Sequence, residues 1–147
     1  MPDASIDILT QHLKAQLAHL VVLREYHQGD VKPYFKSALS FAIEDAQEAI
    51  ARVSSRLRQL GQPLRDQNLD EAGDKLLRQA RSRRDVEDKL KFVRHGLKHQ
   101  LEWYGGRLKD LKDDADSQAI FVALAEQTRV RLERWETLMN ELKVSLD

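Results

Sequence analysis

Apolar residues recur in steps of three and four along most of the chain, the spacing that gathers side chains on one face of an α-helix. The first run is Ile6, Leu9, Leu13, Leu17, Leu20 and Leu23, widened by Ile8, Val21 and Val22, and it predicts a helix over about 4–28. Asp3 or Ser5 would cap it by accepting a backbone N–H, and Gly29 before Asp30 suits the left-handed position past its end. A second stripe predicts a helix over about 32–60, entered at Val31 or Pro33. It runs from Tyr34 and Phe35 through Ala38, Phe41, Ala42, Ala46, Ala49, Ile50, Val53 and Leu57 to Leu60. Pro33 is tolerated in a first turn, where its missing N–H has no partner to lose. Gly61-Gln62-Pro63 ends the helix.

Residues 61–72 form the longest connector. Helical spacing then resumes, with Val86, Leu90, Val93, Leu97, Leu101, Tyr104, Leu108 and Leu111 as the stripe of a helix predicted over about 74–112. Gly105-Gly106 would allow a bend. Such a helix would be ~58 Å long against ~42 Å for the second, at 1.5 Å per residue. Part of 64–84 is therefore expected to be a separate short helix or an overhanging crossover, which puts the connector at about 61–84. The last helix is predicted over about 116–145, capped from Asp114, Asp116 or Ser117. Its stripe is Ile120, Ala123, Leu124, Leu132, Trp135, Leu138, Met139 and Leu142. The middle of this helix, 127–131, is unusually polar. Four amphipathic helices bury their stripes most simply in one another, so the expected fold is all-α, a single four-helix-bundle domain over 1–147.

Composition narrows the chemistry. The absence of cysteine removes disulfides, thiolate metal sites and cysteine nucleophiles. Lys plus Arg equal Asp plus Glu at 24 each, so there is no basic excess of the kind nucleic-acid binders show. No apolar stretch approaches a membrane span, and Met-Pro-Asp-Ala-Ser does not open like a signal peptide. A cytoplasmic protein without a membrane partner is expected.

The two halves of the chain align without gaps, 38–60 on 120–142, with Glu44 on Glu126, Gln47 on Arg129, Ile50 on Leu132 and Val53 on Trp135. Upstream, Leu23-Arg24-Glu25-Tyr26 matches Leu101-Glu102-Trp103-Tyr104. In these stretches the chain resembles the ferritin-like superfamily, especially its rubrerythrin-type branch. The resemblance implies two helical hairpins joined by a long crossover. It also implies a di-iron or di-manganese centre held by a Glu from each of two helices and a Glu-x-x-His from each of the others. Carried over residue by residue, that set is degenerate. The two Glu-x-x-His positions read Glu44-x-x-Gln47 and Glu126-x-x-Arg129, and the single-Glu positions fall near His19 or Gln16 and near Leu97 or Lys98. A guanidinium at Arg129 would then replace the metal's charge in the interior, pairing with Glu44 and Glu126. The alternative for Arg129 is a solvated face.

Other candidates stand beside bland alternatives. His95 and His99, at i, i+4 with Glu102 one turn on, have a metal-binding spacing but sit beside the core stripe. His12 and His19 share a face of the first helix. Lys75, Arg78, Arg81, Arg83 and Arg84 would attract phosphate, yet Asp74, Asp85, Glu87 and Asp88 interleave with them, as on a solvated helix. Trp135 and Trp103 read as core or interface anchors. Ser54-Ser55 has no His-Asp partners, and no Gly-rich phosphate loop occurs.

The reading that emerges is a non-catalytic ferritin-like bundle that has lost its di-metal centre, needs no cofactor, and acts by self-association or by binding a protein partner. One alternative is an iron- or manganese-binding protein of oxidative stress or metal handling, with Glu44, Glu126, Glu102, His19 and His99 as candidate ligands. Another is phosphate or nucleic-acid binding through 75–84.

Overall fold

A computed structural model describes residues 2–29 and 32–146, apart from the side chains of Pro2 and Asp3. The Asp3 cap and the turn residues Asp30 and Val31 therefore lie outside the described residues. Five α-helices follow in order: α1 (Pro2–Gln28), α2 (Pro33–Gln59), α3 (Glu71–Arg81), α4 (Val86–Arg107) and α5 (Ala115–Glu141), with a 3₁₀ turn at Leu108–Leu111 before the last. No strand occurs among the described residues. None of their helices is long and apolar enough to cross a membrane.

Local chemistry sets the boundaries. The stretch 74–112 does not form one helix, because Asp85 starts a new one: its carboxylate accepts the Asp88 N–H at 2.8 Å. Asp70 does the same for Gly73 at the head of α3, and Asp114 for Ser117 at the head of α5. Each such cap contributes about 1 kcal/mol. The short helix expected within 64–84 is thus α3. Gly61 adopts φ 76°, and Gln62 N–H reaches back to the Leu57 carbonyl at 2.9 Å, so α2 closes in the left-handed conformation glycine favours. Gly105-Gly106 fall in the last turn of α4, just before the backbone tightens into the 3₁₀ turn, and do not bend a longer helix. Ser5 lies buried inside α1 and caps nothing.

Contacts between helices fix their directions. Along α1 and α4, His12 meets Tyr104, His19 meets Gly96 and Tyr26 meets Phe92, so the two run antiparallel. Along α2 and α5, Arg56 meets Ser117, Asp45 meets Arg131 and Phe35 meets Trp135, again antiparallel. Short turns make α1–α2 and α4–α5 antiparallel as well, which leaves α2 and α4 pointing the same way. The segment between them runs alongside α1. Lys14 Nζ donates to the Asp66 and Asn68 carbonyls, Gly73 sits against Ala18, and Tyr26 Oη donates to the Ala80 carbonyl at 2.7 Å.

Two apolar clusters fill the interior. One gathers Leu23, Tyr26, Phe35, Leu39, Leu90, Trp135 and Met139. The other gathers Leu9, Leu13, Val53, Leu57, Tyr104, Phe121 and Leu124. Every long helix contributes to both. Two aromatic residues assigned to the buried stripe stand outside: Phe41 is 51 % exposed, with the Arg131 guanidinium over its ring at 5.4 Å, and Tyr34 is 40 % exposed.

Candidate functional site

Between the two apolar clusters each long helix changes character. On α1 the stripe passes through Gln16 and His19, on α2 through Ala42, Ala46 and Ala49, on α4 through Gly96 and Gln100, and on α5 through Thr128 and Arg131. Small side chains on one wall and polar ones on the other line a partly open chamber of about 240 Å³. Leu76 and Gln79 of α3 reach its edge, as do Phe92 and Val93 of α4.

A hydrogen-bonded network forms the floor. Tyr104 Oη lies 2.9 Å from His12 Nε2 and accepts from Gln100 Nε2 at 3.2 Å. Gln16 also bonds to this hydroxyl. Burial pushes the Tyr104 hydroxyl well above the ordinary tyrosine range, so it stays protonated. It shares one hydrogen bond with His12 Nε2, whose direction follows the His12 tautomer. The His12 ring stacks on Trp103, centroids 5.4 Å apart, with Phe121 at its edge. Burial first, and the neighbouring His19 second, lower the His12 pKa to about 3. Thr128 Oγ1 donates to the Leu124 carbonyl at 2.8 Å.

His19 differs from these. Burial, then the charge of nearby His99, lowers its pKa to about 4, so at neutral pH it is an uncharged imidazole. No group among the described residues hydrogen-bonds to its ring. No fully enclosed side-chain N or O among the described residues lacks a partner, so the unpaired His19 nitrogens keep some accessible surface, on a ring that lines the chamber. Gly96 makes room for it: a Cβ there would lie 3.0 Å from His19 Cε1. The formal charges at the chamber cancel, since Arg131 Nε donates to Asp45 Oδ2 at 2.6 Å.

The residues singled out from sequence are only partly assembled here. His19 lines the chamber. His99 and His95 stand at its rim with exposed side chains, their rings 6.4 Å apart. Leu97 lines it, whereas Lys98 faces out. Glu44, Gln47, Glu102, Glu126 and Arg129 are exposed. The interior ion pair expected of Arg129 is therefore a surface one. Its Nε donates to Glu126 at 2.9 Å and its Nη1 to Glu133 at 2.6 Å, with the Arg129 and Glu126 side chains 46 % and 61 % exposed, and Glu44 takes no part. No three His, Asp or Glu side chains among the described residues converge as a metal-ion site, so the five candidate ligands are not brought together. In the 75–84 segment, Arg81 pairs with Glu25 at 2.6 Å and Arg83 stacks over Phe92.

Sequence reasoning missed Gln100, Thr128, Arg131, Asp45 and the His12–Tyr104 pair. The missing signal was helical phase. Glu44 is singled out by its alignment with Glu126, and it lies one position, ~100° of helix rotation, from Asp45, which lines the chamber. The run Leu39, Ala42, Ala46, Ala49, Val53, Leu57, without Phe41, marks the true face. No protein-family model, curated protein or solved structure matches the chain.

Proposed function

We propose that this is a ferritin-like helical bundle without catalytic activity, in which the middle of the bundle serves as a binding chamber for a small uncharged molecule. Support for the fold comes from the helix directions. The first and second helices run antiparallel, the fourth runs parallel to the second, the fifth returns, and the connection between the halves runs alongside α1 from Lys14 to Tyr26. One long crossover between two hairpins is the ferritin-like arrangement. Support for the chamber comes from one observation above all, the unpaired His19 imidazole opening onto about 240 Å³ of space. Gln16, His19, Gln100 and Thr128 line the chamber with neutral donors and acceptors, while the carboxylates at the family's ligand positions, Glu44 and Glu126, lie on the surface. A single imidazole among neutral groups, with no three metal-ligating side chains converging among the described residues, favours an uncharged polar molecule over a metal ion.

Metal loading and thermal denaturation test this together. After incubation with iron or manganese and desalting, no stoichiometric metal is expected to remain. Small neutral heterocycles should raise the melting temperature of the wild type, and Ala46→Leu, which fills the chamber, should abolish that rise. One or two metal ions retained per chain and released by His19→Leu would overturn the reading in favour of a metal protein.

A further inference from the structure

We infer that the chamber's ligand is a neutral bicyclic nitrogen heterocycle, of nucleobase size, that presents a ring N–H or ring nitrogen at one edge and is held by that edge against one nitrogen of His19. This inference rests on the chamber reading above and narrows it to a chemical class.

Size comes first. An apolar cavity of about 150 Å³ accommodates benzene. The chamber, at about 240 Å³, is half as large again, which corresponds to a molecule of about ten non-hydrogen atoms on the same scale. Charge comes second. The Asp45 carboxylate and Arg131 guanidinium neutralise each other, and a charged guest would enter without a counterion while giving up part of its hydration. Polarity comes third. Val22, Leu23, Phe92 and Val93 make much of the wall, so a sugar or polyol would bury hydroxyls without partners. A flat heteroaromatic ring offers apolar faces to those side chains and confines its polar atoms to one edge.

The edge is read by His19. A neutral imidazole donates from one nitrogen and accepts at the other. The Thr128 hydroxyl bonds to the Leu124 carbonyl and Gln100 Nε2 donates to Tyr104, whereas neither His19 nitrogen has a protein partner. The two nitrogens point apart on either side of Cε1, which packs against Gly96, so a ring N–H or ring nitrogen on a ligand's edge engages one of them. A hydrocarbon of the same shape leaves both unpaired.

Calorimetric titration near neutral pH with three probes tests this: indazole, its isosteric hydrocarbon indene, and indazole-3-carboxylate. Wild type, His19→Leu and Ala46→Leu are compared, each verified as folded by circular dichroism. Wild type should bind indazole roughly tenfold or more tighter than indene, as one lost buried hydrogen bond implies, and should not bind the carboxylate. His19→Leu should lose that preference by weakening indazole alone, and Ala46→Leu should lose both neutral probes. Equal affinity for indazole and indene, or indazole binding unchanged in His19→Leu, overturns the His19 assignment while Ala46→Leu still reports a working chamber. Tight binding of the carboxylate overturns the requirement for a neutral guest. Absence of binding by every probe, or binding that Ala46→Leu does not affect, overturns the chamber reading and this inference with it.

Discussion

Acidification from pH 7 to pH 5 should remove about 4 kcal/mol of folding stability, and two buried histidines account for it. In the unfolded chain His12 and His19 titrate near the ordinary 6.5; in the fold their values fall to about 3 and about 4. The folded state therefore binds fewer protons than the unfolded one throughout this window, so stability falls as pH falls. For one histidine the loss at pH 5 is RT ln(1 + 10^1.5), about 2 kcal/mol, with almost no correction from the folded form. Two give about 4 kcal/mol, a large fraction of the 5–15 kcal/mol typical of a domain. Carboxylates contribute little here, because their unfolded values lie near 4. Burial alone would raise Asp114, but bonds from Ser117, Ser5 and Arg56 hold it at about 2, so its stabilisation is lost only below about pH 4. Urea titrations followed by tryptophan fluorescence at pH 7, 6 and 5 measure the effect. His19→Leu should halve the average slope across this window, from about 2 to about 1 kcal/mol per pH unit. A stability that is flat from pH 7 to 5, or an unchanged slope in His19→Leu, would refute the neutral burial of these rings.

Two arginines make a contrasting pair. Arg56→Met should destabilise by about 2 kcal/mol, because it strands the largely enclosed Asp114 carboxylate that Arg56 Nη2 meets at 2.8 Å; urea denaturation reads this directly. Arg129→Ala should leave the urea midpoint within error of wild type, since its partners Glu126 and Glu133 remain solvated. A large loss in that variant would mean that Arg129 faces the interior after all.

Much of the fold could be read from the sequence because helical stripes and turn residues are local signals. Gly61-Gln62-Pro63, Pro33 and Asp114 all act at their expected positions. The length mismatch between helices pointed to a break that Asp85 makes. The site was harder, because it depends on rotation about each helix axis, and a step of one position is enough to shift it. Phe41 is apolar, at a plausible spacing, and half exposed. Its ring is covered by Arg131, a residue 90 positions away, so nothing near it in sequence could correct the phase. His12 illustrates the same limit. A histidine at i, i+7 from another suggests a ligand pair, whereas the fold encloses this one among Trp103, Tyr104 and Phe121.

The composition of the middle layer also argues that the chamber is selected and not an accident of packing. An alanine where leucine would fit forgoes about 2 kcal/mol of burial, at 0.8 kcal/mol per methylene. The face of α2 places three buried alanines in a row, Ala42, Ala46 and Ala49, between Leu39 and Val53, while the other fully buried positions of that face are Phe35, Leu39, Val53 and Leu57. Gly96 opposite them weakens α4 by a further 0.5–1 kcal/mol relative to alanine, at about the rate measured for glycine within helices. His19 adds the cost of an imidazole without a protein partner. These concessions meet in one layer, while the clusters above and below are filled by Trp135, Met139, Phe121 and Leu57. A chain under selection for stability alone would narrow the gap with larger side chains at these positions. Proteins keep such gaps where activity depends on them, and the stabilisation expected of Ala46→Leu measures how much is being conceded.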